Sequence, residues 1–272
     1  MKKRTLTLML GLILFGCGSG TDNKNATKEA LIIGGLSGNE LAEKQVFTKN
    51  NGSDPGTLDP HRAEGVPASN VLRDLYEGLV SEAANGDYIP GVAESWNISQ
   101  DGKTYRFTIR EGAVWSNGDK VVAEDFVFSL RRSVDPKTLS NYSSMLYPIK
   151  NARDVVLGKA PTDRLGVSAE GEKTLIIELE EPTPYFISLL THSTTYPVHP
   201  PTVKEHGPLF TRPENMVSNG AFTLKDWRIQ DYILLSRNER YWDDTNTTLS
   251  EVYYYPLDNP DASLRRYRAN EL

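Results

Sequence analysis

Three histidines form the first pattern in this sequence that suggests chemistry. His192, His199 and His206 recur every seven residues, and imidazole rings are common ligands of transition metals. Four prolines between positions 197 and 208 interrupt any regular helix through this stretch, so the spacing does not bring the three rings together. We therefore expect no metal site. A metal receptor or metalloenzyme is the alternative, and it depends on these histidines alone.

Motifs of catalytic sites are missing from the rest of the sequence. It contains no G-x-S-x-G, H-E-x-x-H or P-loop pattern. The acidic pairs Glu180-Glu181 and Asp243-Asp244 have no partner acid at a defined geometry, and a solvated surface explains them better. The single cysteine, Cys17, excludes a disulfide within the chain and any site that needs two cysteines. The sequence thus predicts a protein that is not an enzyme, with no catalytic residue and no cofactor.

The first 40 residues have the composition of an export signal followed by a tether. A basic start precedes an apolar run at positions 6–15 that is too short to span a bilayer, and Cys17 follows almost directly. We interpret residues 1–16 as a signal peptide and residues 17–40 as a flexible tether, lipidated at Cys17 and so anchored to a membrane. The alternative is an ordinary signal peptide followed by an incidental cysteine.

Net charge excludes one class of partner. Without residues 1–16 the chain carries 27 basic and 36 acidic side chains, a formal net charge of −9. Such an acidic protein is not expected to bind nucleic acid, because phosphates require a basic surface. The charge suits a soluble protein outside the cytoplasm, periplasmic or at the cell surface.

Apolar residues with the period of a helix and with the period of a strand mix throughout the chain, so the fold class is mixed α/β. The predicted helices are Pro67–Val80, a stretch that begins after Thr183, and Asn259–Arg268. The predicted strands are Thr104–Arg110, Thr174–Leu179, Ala221–Leu224, Tyr232–Arg237 and Val252–Tyr255.

Residues 101–136 hold the longest ordered motif of the chain. Their sequence predicts a half-buried strand, a turn at Asn117-Gly118, and a helix with Phe126 and Leu130 on one face. Flanking motifs keep a fixed order: L-D-P-H at 58–61, E-G-V-P at 64–67, R-D-L-Y-E-G-L at 73–79, P-G-V-A-E-S-W at 90–96, E-P-T-P-Y-F at 181–186, and N-G-A-F-T-L-K-D-W at 219–227. In this order, from about residue 41 to residue 272, the sequence resembles the family 5 solute-binding proteins. These are the extracytoplasmic receptors of peptide, dipeptide and nickel ABC importers, and the peptide receptors are the more similar.

The resemblance implies a periplasmic-binding-protein-like fold of type II. Residues 41–76 and 201–272 would form an incomplete first lobe, and residues 77–200 the extra domain of the peptide receptors. Family members are about twice as long as this chain, so we expect the second lobe to be missing. Missing neighbours would leave sheet edges and apolar faces exposed.

The resemblance also implies a set of peptide-binding residues. Glu64, Gly65 and Val66 match the segment of the first lobe that runs beside the peptide backbone, Tyr142 matches a ligand-contacting tyrosine of the extra domain, and Gly220 would permit close approach of the backbone. The alternatives are a surface loop for the first three, a packing ring for Tyr142 and a tight turn for Gly220. Most groups that pair with the peptide termini belong to the second lobe in the family.

The function implied by the resemblance is the substrate-binding component of an ABC importer. It would capture oligopeptides outside the cytoplasmic membrane and deliver them to permease and ATPase subunits. The alternative is a truncated lipoprotein without transport activity, or a half-receptor that needs a separately encoded second lobe.

Overall fold

The computed structural model describes residues 41–272 and, before them, the backbone of two short antiparallel strands, β1 (Ile32–Ile33) and β2 (Leu36–Ser37). The predicted signal peptide, Cys17 and most of the predicted tether lie outside the described residues. Within the described part of the chain, no helix has the length and apolar character needed to cross a membrane.

Residues 43–272 form one compact unit that mixes helices and strands, as the sequence predicts. Its strands are β3 (Val46–Asn50), β4 (Val80–Glu82), β5 (Tyr88–Pro90), β6 (Ala93–Ile98), β7 (Thr104–Ile109), β8 (Val167–Glu170), β9 (Thr174–Glu178), β10 (Phe222–Arg228), β11 (Tyr232–Arg237) and β12 (Glu251–Tyr255). Its α-helices are α1 (Gly65–Leu75), α2 (Ala123–Val134), α3 (Ala152–Val156), α4 (Phe186–Leu189), α5 (Pro200–His206) and α6 (Pro260–Arg268). Six short 3₁₀ turns connect them, at Pro136–Thr138, Ser143–Leu146, Thr162–Arg164, Ser193–Thr195, Gly207–Thr211 and Asp244–Asn246.

The first sheet has the strand order β10-β11-β12-β3. Its first three strands are antiparallel, whereas β3 comes from the start of the unit and pairs with β12 in parallel. Alternate residues of β11 and β12 are buried on one face, against which α1 packs with Val71, Leu72 and Leu75. The hydroxyl of Tyr254 donates a 2.5 Å hydrogen bond to Asp74 of α1, which joins the helix to the sheet.

The second sheet, β6-β7-β9-β8, is antiparallel throughout and packs against α2. The strand, the turn and the helix predicted within residues 101–136 are confirmed as β7, a turn at Asn117-Gly118, and α2. Asp125 stabilises the start of α2, because its carboxylate accepts the backbone N–H of Val122 at 3.1 Å and the indole N–H of the buried Trp115 at 3.0 Å.

One predicted helix ends earlier than its apolar pattern indicates. The period of apolar residues continues to Val80, but α1 ends at Leu75 and Tyr76 is extended, with φ −129° and ψ 151°. The side chain of Asn219 holds the chain just beyond this end, since it accepts from the backbone N–H of Glu77 at 3.2 Å and donates to the Glu77 carbonyl at 2.9 Å. Leu79 is buried all the same, in the extended segment that leads into β4.

Other boundaries differ by a few residues. The helix predicted after Thr183 is the short α4, and the strand predicted from Ala221 begins at Phe222 and continues to Arg228. The predicted strand at Tyr232–Arg237 is confirmed, and α6 begins after Asn259, whose side chain accepts from the backbone N–H groups of the first turn.

The edge of the first sheet beside β3 is unpaired within residues 41–272. A groove of about 930 Å³ lies there, between β3 and α6. Its lining includes the exposed apolar side chains Val46, Phe47, Leu264 and Tyr267. The described residues thus expose a sheet edge and an apolar face.

Candidate functional site

The first turn of α1 presents an open stretch of backbone at the protein surface. Glu64 is extended and exposed. Gly65 opens the helix with a φ of +78°, a backbone angle that residues other than glycine rarely adopt. Val66 follows with 70% of its side chain exposed. A large apolar side chain so exposed at a helix start is available for contact with a ligand.

Two asparagines hold this turn in place. Asn51, buried at the end of β3, donates to the carbonyl of Pro67 at 3.0 Å, and Asn70 donates to the side-chain oxygen of Asn51 at 3.0 Å. The turn is therefore fixed to the first sheet through side chains that were not among the predicted site residues. The N-N-G-S run at 50–53 is the signal from which Asn51 could have been found.

Tyr142 reaches the same place from the segment between α2 and α3. It precedes the 3₁₀ turn Ser143–Leu146, and its ring meets the ring of His192 edge to face, with centroids 4.9 Å apart. A small cavity of about 200 Å³ lies between this pair and the first turn of α1. It is lined by Ala63, Gly65, Val66, Ser69, Tyr142, His192 and Ser193.

Three of the five predicted peptide-binding residues therefore meet at one cavity, which we call the α1 cavity. Gly65, Val66 and Tyr142 line it, and Glu64 lies directly before them in the chain. Gly220 does not belong to this group. It lies at the other end of α1, where its N–H donates to the carbonyl of Leu75 at 2.9 Å.

The packing of Gly220 gives a physical reason for a glycine at that position. A Cβ atom there would lie 2.6 Å from the carbonyl oxygen of Asp74 and 2.7 Å from the backbone nitrogen of Tyr76. The close backbone approach expected at Gly220 exists, and its partner is the end of α1. Gly220 also lines a second pocket, of about 440 Å³.

His192, which the sequence pattern suggested only as a metal ligand, is a residue of the α1 cavity. Its Nδ1 accepts the backbone N–H of Thr194 at 3.1 Å, so its Nε2 carries the proton of the neutral ring. Burial, and secondarily the charge of Arg73, lower the pKa of His192 below its usual value. The ring is therefore neutral at pH 7 and offers one N–H donor beside Tyr142.

The three evenly spaced histidines do not converge. His199 bonds Thr202 at 2.6 Å and Asp119 at 2.9 Å, whereas His192 bonds Thr194. Among residues 41–272, no group of three His, Cys, Asp or Glu side chains is placed to hold a metal ion.

A buried charged cluster connects α2 to the segment that precedes α1. Arg132 of α2 makes a bidentate pair with Asp59, at 2.9 and 2.6 Å, and also donates to Nδ1 of His61 at 2.7 Å. The remaining N–H of His61 donates to the carbonyl of Tyr196 at 2.9 Å. Burial first, and then Arg132, lower the pKa of His61 to about 4, so the ring stays neutral in this cluster.

Taken together, the α1 cavity offers backbone groups at a fixed turn, an exposed valine, an aromatic ring and a neutral imidazole N–H. Such groups bind a chain by main-chain hydrogen bonds and by contact with varied side chains.

Comparison with known proteins gives a consistent match. The model of the bacterial extracellular solute-binding proteins, family 5, middle region, matches residues 87–272. The periplasmic oligopeptide-binding protein OppA of Escherichia coli K12 is 42% identical over 266 residues, which cover 91% of this chain and 49% of that protein. The probable deoxycholate-binding periplasmic protein YgiS of the same organism is 44% identical over 234 residues, which cover 85% of this chain and 44% of that protein.

Solved structures agree in fold. Haemophilus influenzae OppA, in complex with the peptide RPPGFSPFR, superposes with a TM-score of 0.84 at 42% identity, over 86% of this chain and 46% of that one. The chain thus spans about half the length of the relatives that it matches.

Proposed function

This chain belongs to the bacterial extracellular solute-binding proteins of family 5, and from that membership we propose that it is a substrate-binding component of an ABC importer. Proteins of this family bind solutes and are not enzymes. The proposed ligands are oligopeptides, captured outside the cytoplasmic membrane and delivered to the permease and its ATPase subunits. In this proposal the protein is exported and held at a membrane by a lipid on Cys17.

The observation that supports peptide binding is the meeting of Gly65, Val66 and Tyr142 at the α1 cavity. An extended peptide beside Glu64–Val66 would pair with backbone groups, as a strand pairs with a sheet edge, so that affinity does not depend on its side chains. Val66 and the Tyr142 ring would contact peptide side chains of varied kinds, with water filling the remaining space. Glu64, exposed at the rim, would add a carboxylate.

Because the chain covers only part of its relatives' length, we propose that it forms only part of a peptide-binding site. We assign to these residues one wall of a peptide cleft, and to residues equivalent to the second half of the relatives the opposite wall. The alternative is a half-receptor whose second lobe is separately encoded, or a lipoprotein that does not take part in transport.

Calorimetric titration with a mixed pool of tri- to pentapeptides tests this assignment. Residues 41–272 alone are compared with residues 41–272 followed by the second half of the Escherichia coli OppA sequence. We call the second protein the extended protein. We expect strong saturable heat from the extended protein, and weak or no heat from the chain alone.

Two substitutions with matched controls locate the binding. Val66→Asp and Tyr142→Ala should each weaken peptide binding by the extended protein about tenfold or more, because each removes a central apolar contact. Leu139→Asp and Tyr185→Ala are the controls, since these side chains are 70% and 62% exposed and lie outside the α1 cavity. Unchanged binding in the first pair would contradict the proposal, and so would saturable binding of deoxycholate without binding of peptides.

A further inference from the structure

A small polar pocket lies between the segment that precedes α1, the end of α2 and the end of α5. Its volume of about 260 Å³ is below the range of about 300–1,000 Å³ of sites for drug-sized ligands, so it suits an ion or a very small molecule. Its polar lining consists of Thr57, Asp59, Arg62, Arg132, Lys137 and Thr138. We call it the Arg62 pocket. None of the residues that line it also lines the α1 cavity.

Two cations of the Arg62 pocket are available to a ligand. Arg62 and Lys137 are exposed, and neither side chain makes a hydrogen bond or an ion pair within the part of the chain that the structure describes. The third cation, Arg132, is held by the Asp59 carboxylate, whose charge it balances. Two positive charges therefore remain uncompensated in the lining of an otherwise acidic protein, and they attract anions.

The buried carboxylate of Asp59 keeps one acceptor position in the same lining. Its Oδ1 accepts from Arg132 at 2.9 Å and from the backbone N–H of His61 at 3.1 Å, whereas its Oδ2 accepts from Arg132 at 2.6 Å. Each carboxylate oxygen accepts about two hydrogen bonds, so Oδ2 has room for a second donor. Burial raises the pKa of Asp59, but the hydrogen bond and the charge of Arg132 outweigh burial and hold that pKa below its usual value. The carboxylate is therefore ionised at pH 7 and can accept a proton-bearing group of a ligand.

We propose that the Arg62 pocket binds inorganic phosphate as the hydrogen phosphate dianion. Arg62 and Lys137 would balance its two negative charges and donate to its oxygens, and its P–OH group would donate to Oδ2 of Asp59. A single carboxylate would leave one of the two cations uncompensated. A dianion without a proton, such as sulfate, would place a bare oxygen against the Asp59 carboxylate, and like charges repel at this distance. The proposal does not rest on peptide binding at the α1 cavity.

Calorimetric titration of residues 41–272 with sodium phosphate, at pH 7.5 and constant ionic strength, tests the proposal. We expect saturable binding of a single ion. Sulfate and glycerol 3-phosphate are dianions that mostly lack the proton at this pH, so each should bind about tenfold more weakly or less. Sulfate thus tests the role of Asp59 without a substitution that would leave the buried Arg132 unpaired. Acetate and dialanine, which offer only a carboxylate, should give no saturable heat.

Substitutions assign the two cations. Arg62→Gln and Lys137→Gln should each weaken phosphate binding about tenfold or more, since each removes a charged hydrogen-bond partner. Arg164→Gln and Lys159→Gln are the matched controls, because both side chains are exposed and neither lines the Arg62 pocket. No saturable heat with phosphate, equal binding of phosphate and sulfate, saturable binding of acetate or dialanine, or equal phosphate binding by all four variants would each overturn the proposal.

Discussion

Replacing Gly220 by alanine should lower the stability of the fold, because the new Cβ atom would overlap the end of α1. It would lie 2.6 Å from the carbonyl oxygen of Asp74 and the carbonyl carbon of Leu75, and 2.7 Å from the nitrogen of Tyr76. Carbon atoms in contact are normally about 3.5–4.0 Å apart, so the shortfall is roughly 1 Å. All three atoms belong to the backbone, and none can move by a side-chain rotation.

The expected cost lies at the upper end for overpacked sites, about 3 kcal/mol. For a protein of this size, 1 kcal/mol corresponds to roughly 2–4 °C in Tm, so the Gly220→Ala variant should melt roughly 6–12 °C lower. The hydrogen bond from Gly220 to Leu75 and the one from Asn238 to the Gly220 carbonyl, both 2.9 Å, are strained by the same displacement.

Differential scanning calorimetry and urea denaturation at pH 7 measure this cost. Gly112→Ala is the matched control, since Gly112 is exposed and nothing lies within 4 Å of the position that its new methyl group would take. A Gly220→Ala variant that melts within about 2 °C of this control would refute the packing argument. Retained stability together with weakened peptide binding would instead support Gly220 as a ligand contact, which is how the sequence analysis interpreted it.

Three further predictions concern buried charge. The free energy of unfolding should fall by about 3 kcal/mol between pH 6.5 and pH 4, because the pKa of His61 is lowered to about 4 in the folded protein. As the pH falls, the unfolded chain therefore binds a proton at His61 before the folded chain does. Urea denaturation at several pH values should show a smaller dependence of this free energy on pH in the His61→Gln variant. Arg132→Met should cost about 3–5 kcal/mol at pH 7 in the same assay, since it leaves the buried Asp59 carboxylate without its bidentate partner. Tyr254→Phe should cost about 1–3 kcal/mol at pH 7, and less at acidic pH, because Asp74, whose pKa burial already raises, loses the hydroxyl that stabilises its charge.

Local sequence patterns predicted the elements whose determinants are close in the chain. The alternation in Thr104–Arg110 and the apolar face of Phe126 and Leu130 are sufficient for β7 and α2, and Asn259 with Pro260 is sufficient for the start of α6. The end of α1 is different, since the side chain that bonds the backbone just beyond it, Asn219, is distant in sequence. A periodic pattern cannot show such a contact.

The candidate site was predicted by resemblance more than by local pattern. Glu64, Gly65 and Val66 have the ordinary sequence of a loop before a helix, and only the fold brings Tyr142 and His192 to them. The buried pair of Asp59 and Arg132 carries no local signal, because charged residues are expected at the surface and their pairing depends on the packing of distant elements.

Photo-crosslinking tests the central claim most directly. A tripeptide that carries benzoylphenylalanine would be irradiated with the extended protein, and the attached residue identified by mass spectrometry. The proposed cleft predicts attachment at the α1 cavity, on Val66 or Tyr142 or their neighbours in its lining. Attachment confined to residues outside this lining, with Val66 and Tyr142 unmodified, would contradict the account.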